Sequence, residues 1–271
     1  MKPSRKIFLI ILCAVAVLVS LVFVLFGREL VTLASLRQVD AHPLYTMTYA
    51  GDYGFDDFLK TGAKNDRDIE RFIMRRLLRG VQINLGIADA GCSVFSARNE
   101  KGEAIYARNF DFRYAPALLV RTRPREGYAS ISMVNLAFAG YGAGKLPVPG
   151  RASSFLTVAA PFLPFDGMNE KGVAMALLAV PKADPPRLPG RVTLNTTTAI
   201  RLVLDKAATV DEALALLGRY DLYFSGKVEC HYLIADRSGK AVVVEFQDGK
   251  METVPQTKSY AIATNFIMAL D

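Results

Sequence analysis

The chain predicts a mixed α+β domain carried behind one membrane-length apolar helix, on three observations. Residues 7–26 form an unbroken apolar run whose only hydroxyl is Ser20. Short alternating or apolar runs bounded by turn residues recur in two groups, from Ser93 to Val180 and from Glu229 to Ala263. Between those groups lie two helical stretches, Asn195–Ala207 and Val210–Arg219.

Taken in order, the first element is the apolar run. As a helix it spans roughly 30 Å, the thickness of a bilayer's hydrocarbon core. A cleaved signal peptide has a shorter apolar core and a small-residue cleavage site, whereas Gly27, Arg28 and Glu29 follow here without an Ala-Xaa-Ala pattern. The reading is therefore a signal anchor over residues 1–27. Lys2, Arg5 and Lys6 keep the amino terminus cytoplasmic by the positive-inside tendency, which makes the protein single-pass with the remainder extracytoplasmic.

Residues 28–91 connect this helix to the strand-rich part. Asp66–Leu78 carries Ile69, Phe72, Ile73 and Leu77 at helical spacing and predicts an amphipathic helix. Its arginines form a solvated face or meet anionic lipid, the solvated face being the default. His42, Pro43 and Gly51–Gly54 mark loops.

From Gly91 to Phe112 the sequence GCSVFSARNEKGEAIYARNFDF reads as a β-hairpin: Ser93–Ala97 and Ala104–Phe110 are strands, and Asn99–Gly102 is turn chemistry. Further strands are expected at Ala117–Thr122, Tyr128–Asn135, Leu156–Ala160 and Gly172–Val180, with Asn169 in the turn between the last two. Phe138–Gly150 and the proline-rich Pro181–Gly190 are loops. Asn195 or Thr196 caps the first of the two helices, and Thr209 caps the second, with Asp211 and Glu212 in its first turn. Glu229–Asp236 and Lys240–Gln247 form a second hairpin, and Tyr260–Ala263 is a last strand.

Composition narrows the function. Lys+Arg of 33 against Asp+Glu of 26 gives +7, of which Lys2, Arg5 and Lys6 supply three. No basic stripe with interleaved aromatics is present, so nucleic-acid binding is excluded as a reading. The three cysteines, Cys13, Cys92 and Cys230, have no metal-ligand spacing, and no disulfide is expected. His231 beside Cys230 makes no Cys-His pair, because adjacent strand residues point to opposite faces.

The chemistry gathers on the first hairpin, which brings Arg108 and Asp111 back to the level of Cys92. A thiol needs a base before it attacks. If the Gly91–Cys92 bond is cut, the new α-amino group of Cys92 has an ordinary pKa of ~7.7–8.0 and serves as that base. Asp111 would orient the amine, and Arg108 would favour the thiolate and steer an anionic or polar substrate. No metal and no other cofactor is required.

Cys92, Arg108 and Asp111, with RNFDF closing the hairpin, resemble the choloylglycine hydrolase and penicillin V acylase type of N-terminal nucleophile hydrolase, to which acid ceramidase and N-acylethanolamine acid amidase are related. Three stretches agree in order: DGMNEKGVA at Asp166–Ala174, HYLIADRSGK at His231–Lys240 with VVVEF to Phe246, and ATNF at Ala263–Phe266. The resemblance implies a four-layer αββα sandwich over residues 92–271. It implies Cys92 as nucleophile and base, Asp111 and Arg108 as partners, and an oxyanion hole from the backbone N–H of Asn169 and the side chain of Asn265. Residues 28–91 become a linker and propeptide removed by autocatalytic cleavage, since Cys92 lies far from Met1. The family pattern continues beyond Asn265 with more strands and another arginine, whereas this sequence stops at Asp271. Either the chain is a fragment or its sheets are incomplete at the C-terminus.

The function expected is a membrane-anchored amidase that hydrolyses a linear, non-peptide carbon–nitrogen bond of a small N-acyl compound through a thioester at Cys92. Acyl transfer from the same site, or a catalytically inactive membrane-tethered binding protein of the same fold, are the alternatives.

Overall fold

Strands apolar enough to be buried on both faces need two partners, and the chain supplies them as a second sheet on one side and helices on the other. The structure, a computed structural model, describes residues 3–85, 91–111, 116–256 and 258–269. Met1, Lys2, Phe112 and Asp271, named above, lie outside them.

Helix α1 runs from Pro3 to Ala34. It is long and apolar enough to cross a membrane, and the apolar window of this helix has no part buried. Its last turns differ: Glu29 and Thr32 are buried, and Arg79 donates to the Leu25 carbonyl at 2.8 Å and to Glu29 at 3.0 Å.

Strands β1 (Arg37–Gln38) and β2 (Leu44–Thr48) follow, then helices α2 (Phe55–Thr61) and α3 (Asp66–Arg76). The amphipathic helix expected at Asp66–Leu78 is thus present, with Asn65 capping it through the Asp68 N–H and Ile69 and Ile73 buried. Tyr45, Tyr53, Phe55, Phe58, Leu77 and Leu78 of this segment all belong to the main hydrophobic core. Phe55, Phe58 and Phe72 pack ring to ring against Phe162 at 5.4–5.8 Å between centroids.

The first hairpin is β3 (Gly91–Arg98) and β4 (Ala104–Asp111). Its turn is built as the residues suggest: the Asn99 side chain accepts from the Lys101 and Glu103 N–H groups, and Gly102 takes φ +77°. Strands β5 (Ala117–Thr122), β6 (Ser130–Asn135), β7 (Pro164–Asn169) and β8 (Ala174–Ala179) come next. The strand expected at Leu156–Ala160 is instead part of a 3₁₀ stretch, Ala152–Phe162. Thr157 to Phe162 are all buried, so no alternation distinguishes strand from buried helix there.

Short β9 (Thr193–Asn195) leads into α4 (Thr196–Lys206), whose cap is a reciprocal box between Asn195 and Thr198. After α5 (Val210–Leu217) and β10 (Asp221–Tyr223), strands β11 (Cys230–Ala235), β12 (Ala241–Gln247), β13 (Lys250–Pro255) and β14 (Tyr260–Ala263) complete the fold.

The larger sheet has the order β1-β2-β5-β6-β7-β8-β11-β12-β13, and the smaller β14-β3-β4. Every pair is antiparallel except β2 with β5 in the large sheet and β9 with β10 outside it. Among the described residues, the smaller sheet packs on β8, β11 and β12 through Cys92, Val94, Ala176, Leu178, Leu233, Val243, Ala261 and Ala263. Opposite side chains of the same central strands, such as Met175, Leu177, Tyr232 and Ile234, face the helical side with α4 and the 3₁₀ stretch. The architecture is a sheet-rich α+β fold of stacked layers. A buried polar staple joins α4 to the sheet: Arg201 donates to Asp205, Thr122, Ser130, Ser132 and the Pro161 carbonyl, and Tyr53 donates to Asp205.

Candidate active site

Antiparallel register fixes which groups of the hairpin meet. Cys92 pairs with Phe110 and Val94 with Arg108, so these four side chains share the face turned to the larger sheet. Gly91 pairs with Asp111, which places the carboxylate on the opposite face. A Cβ on Gly91 would lie 3.3 Å from Asp111 Oδ2, so the glycine is what lets this acid approach the Gly91–Cys92 peptide.

Cys92 is 4% exposed, and Arg108 Nη2 donates to its sulfur at 3.2 Å. Arg108 also donates to Asp166 Oδ2 at 2.9 Å and to the Phe165 carbonyl at 3.0 Å, and its guanidinium lies 4.4 Å from the Phe110 ring centroid. The acid that pairs with Arg108 is therefore Asp166 of β7. Burial pushes the Asp166 carboxyl above the usual carboxylate range, against the pull of Arg108. Asp111 accepts from the Asn109 amide at 2.7 Å.

Asn265 closes the site from beyond β14. Its Oδ1 accepts from the Cys92 backbone N–H at 2.7 Å, and its Nδ2 donates to the Ala179 carbonyl at 2.7 Å. The oxygen is aimed at the nitrogen that cleavage would turn into an amine, while the amide nitrogen is held by β8.

Asn169, by contrast, is held at the β7–β8 turn. Arg108 reaches β7 at Phe165 and Asp166, and Asn169 lies three residues further on, roughly 10 Å at about 3.3 Å per strand residue. Its backbone N–H donates to the Val173 carbonyl, its Oδ1 accepts from the Lys171 and Val173 N–H groups, and its Nδ2 donates to the Leu204 and Ala207 carbonyls. Every one of these bonds ties the β7–β8 turn to itself or to the end of α4.

Beside the thiol lies an apolar cleft walled by Leu85, Phe110, Phe138, Leu163, Phe165 and Val228. A wider cleft, with Arg108, Asp166 and Asn135 in its lining, lies on the other side of Phe110 and Phe165, which line both. Cys230 also lines the first cleft, but burial pushes its thiol up to about 12. It faces the helical core, and His231 faces the other way, where Glu245 receives it.

Sequence reasoning missed Asp166 and the Glu245–His231 pair. Asp166 stands in the DGMNEKGVA motif, yet only the register of two sheets puts it opposite Arg108. The parity of the spacing was readable: residues 108 and 111 are three apart on one strand and so cannot share a face.

Two facing sheets thus bring together a cysteine near the start of an inner strand, an arginine and an asparagine. The model of the linear amide C–N hydrolases, choloylglycine hydrolase family, matches residues 92–265, and the chain belongs to that family. No curated protein matches the chain at a significant level. Among solved structures, a conjugated bile acid hydrolase from Clostridium perfringens is similar at 19% identity and TM-score 0.47, covering 65% of this chain and 54% of its own. Penicillin V acylase from Agrobacterium tumefaciens is similar at 18% identity and TM-score 0.35, covering 64% and 44%. The Caenorhabditis elegans ortholog of N-acylethanolamine-hydrolyzing acid amidase is similar at 17% identity and TM-score 0.42, covering 66% and 72%. The chain thus spans about half the length of the first two.

Proposed function

We propose that the protein is a cysteine amidase that hydrolyses the linear amide bond of an N-acyl compound, with Cys92 as its nucleophile once the Gly91–Cys92 bond is cut. The observation that carries this reading is the double hold on one residue: Arg108 on the Cys92 sulfur and Asn265 on its backbone nitrogen. The family match opening at Cys92 supports it.

In this scheme the free amine of Cys92 takes the thiol proton as sulfur attacks the amide carbon, and the carbonyl electrons move to oxygen. When the tetrahedral oxyanion collapses, the carbon–nitrogen bond breaks and the leaving amine takes the proton from the ammonium. Water then adds to the thioester, its proton passing to the same amine, and carboxylic acid and thiol are released. Arg108 supplies positive charge beside the sulfur, and Asp166 fixes the guanidinium. Asp111, paired with Gly91 across the hairpin, holds the new ammonium after Gly91 departs.

The apolar cleft beside the thiol takes the acyl chain, so a hydrophobic, fatty-acyl-like group is the substrate's acid part, while the amine part faces the wider cleft. The membrane helix acts as an anchor with the catalytic part extracytoplasmic. Burial of Glu29 and Thr32 supports this, since one unbroken helix runs from the apolar span into the core. Mass measurement of the purified chain together with hydrolysis of a fluorogenic N-lauroyl amide tests the reading. A terminus at Cys92 and activity lost in Cys92→Ala are expected; activity retained by Cys92→Ala would overturn it.

A further inference from the structure

Two titratable side chains outside the thiol site are fully buried between the sheets: His231 of β11 and Glu245 of β12, both about 1% exposed. His231 Nδ1 lies 3.0 Å from Glu245 Oε1, and its Nε2 lies 2.9 Å from the Thr264 carbonyl. A carbonyl can only accept, so Nε2 carries a proton and Nδ1 faces the carboxylate. Glu245 in turn accepts the Met268 N–H on Oε1 and the Ala269 N–H on Oε2, both at 2.8 Å.

These bonds share one target. Strand β14 ends at Ala263, and among the described residues, 264–269 have no sheet partner to set their register. The pair grips that irregular stretch at residue 264 and again at residues 268 and 269, on both sides of Asn265. The two side-chain bonds of Asn265 run to the Cys92 nitrogen and the Ala179 carbonyl, both at the thiol. A buried polar pair adds little net stability over a well-packed apolar pair, because desolvation offsets the attraction. What this pair contributes is the placement of three hydrogen bonds.

We infer that the His231–Glu245 pair is a positioning device that holds Asn265 against the Cys92 amino nitrogen and so sets the turnover of the amidase; this rests on the function proposed above. Neither residue touches the thiol. Both act through the backbone of residues 264–269.

The test uses the full chain in detergent micelles with a fluorogenic N-lauroyl amide. His231→Phe is expected to lower kcat at least tenfold with KM changed less than twofold. Glu245→Gln, which keeps one accepting oxygen, is expected to lie between wild type and His231→Phe. On an Asn265→Ala background, His231→Phe is expected to add less than twofold, because the group it positions is gone. Equal losses on both backgrounds, or a change confined to KM, would overturn the inference. A second readout does not depend on activity: the side-chain amide NMR signal of Asn265, assigned by its loss in Asn265→Ala. It should shift in His231→Phe while that of Asn195, which caps α4 elsewhere, stays in place. If wild type shows no Cys92-dependent hydrolysis, the amidase reading fails, and an unmoved Asn265 signal separately overturns the positioning role. Should His231→Phe not fold, His231→Gln takes its place in both arms.

Discussion

The side-chain oxygen of Asn265 accepts a 2.7 Å hydrogen bond from the backbone N–H of Cys92, across 173 residues of sequence. A side chain dedicated to one backbone nitrogen means little for an ordinary strand residue. It gains meaning where that nitrogen is to become an amine. The arrangement and its surroundings have measurable consequences.

The first concerns the segment before Cys92. Tyr45, Tyr53, Phe55, Phe58, Ile69 and Ile73 are buried in the main core, and β2 is hydrogen-bonded to β5. Cutting the chain at Gly91 should therefore leave both parts associated. Size-exclusion chromatography in detergent should show them co-eluting after cleavage and separating only in denaturant. Phe162→Ala, which removes the ring at the centre of the Phe55, Phe58 and Phe72 cluster, should cost about 3–5 kcal/mol and loosen that association.

A second prediction concerns pH. Burial holds the Asp166 carboxyl above the usual carboxylate range, so the folded state binds this proton more tightly than the unfolded chain. The stabilisation is full below the unfolded value of about 4 and is lost as pH rises through the folded value. Asp166→Asn removes that dependence. Its Tm relative to wild type should rise as pH increases from about 4, whatever constant offset the lost ion pair adds.

The polar staple gives a third. Arg201 is wholly buried, and its ion pair with Asp205, to which Tyr53 also donates, is fully enclosed. Arg201→Met strands a buried carboxylate and should cost about 3–5 kcal/mol by denaturant unfolding. Arg201→Met with Asp205→Leu should recover part of that loss.

A fourth tests the assignment of the acyl group. Val228 lines the apolar cleft next to Cys92. Val228→Trp should reduce kcat/KM for an N-lauroyl amide at least tenfold and spare an N-acetyl amide, since each excluded methylene is worth about 1 kcal/mol or more. Equal losses for both chain lengths would count against this cleft as the acyl site.

Much of the molecule was legible in the sequence where local chemistry decides. The Asn99–Gly102 turn, the caps Asn195 and Thr209, the hairpin of β11 and β12, and the helix at α3 all follow from nearby residues. What was not legible depends on contacts between distant segments. Residues 28–91 read as a linker once the resemblance made them a propeptide, yet Tyr53 reaches Asp205 and Phe58 reaches Phe162. The surroundings of Asn169 depend on α4 in the same way, since its side-chain amide donates to the Leu204 and Ala207 carbonyls. Asp166 became the partner of Arg108 only when the two sheets faced each other. Val158–Phe162 is apolar throughout, and neither period could be read from it.

One measurement bears most directly on the Cys92 nitrogen. The purified full-length chain, analysed by intact mass and amino-terminal sequencing, should yield a fragment that starts at Cys92, and the Cys92→Ala protein should remain a single uncut chain without amidase activity. A wild-type protein that hydrolyses the N-lauroyl amide while its Gly91–Cys92 bond stays intact would contradict the role of that nitrogen as the general base.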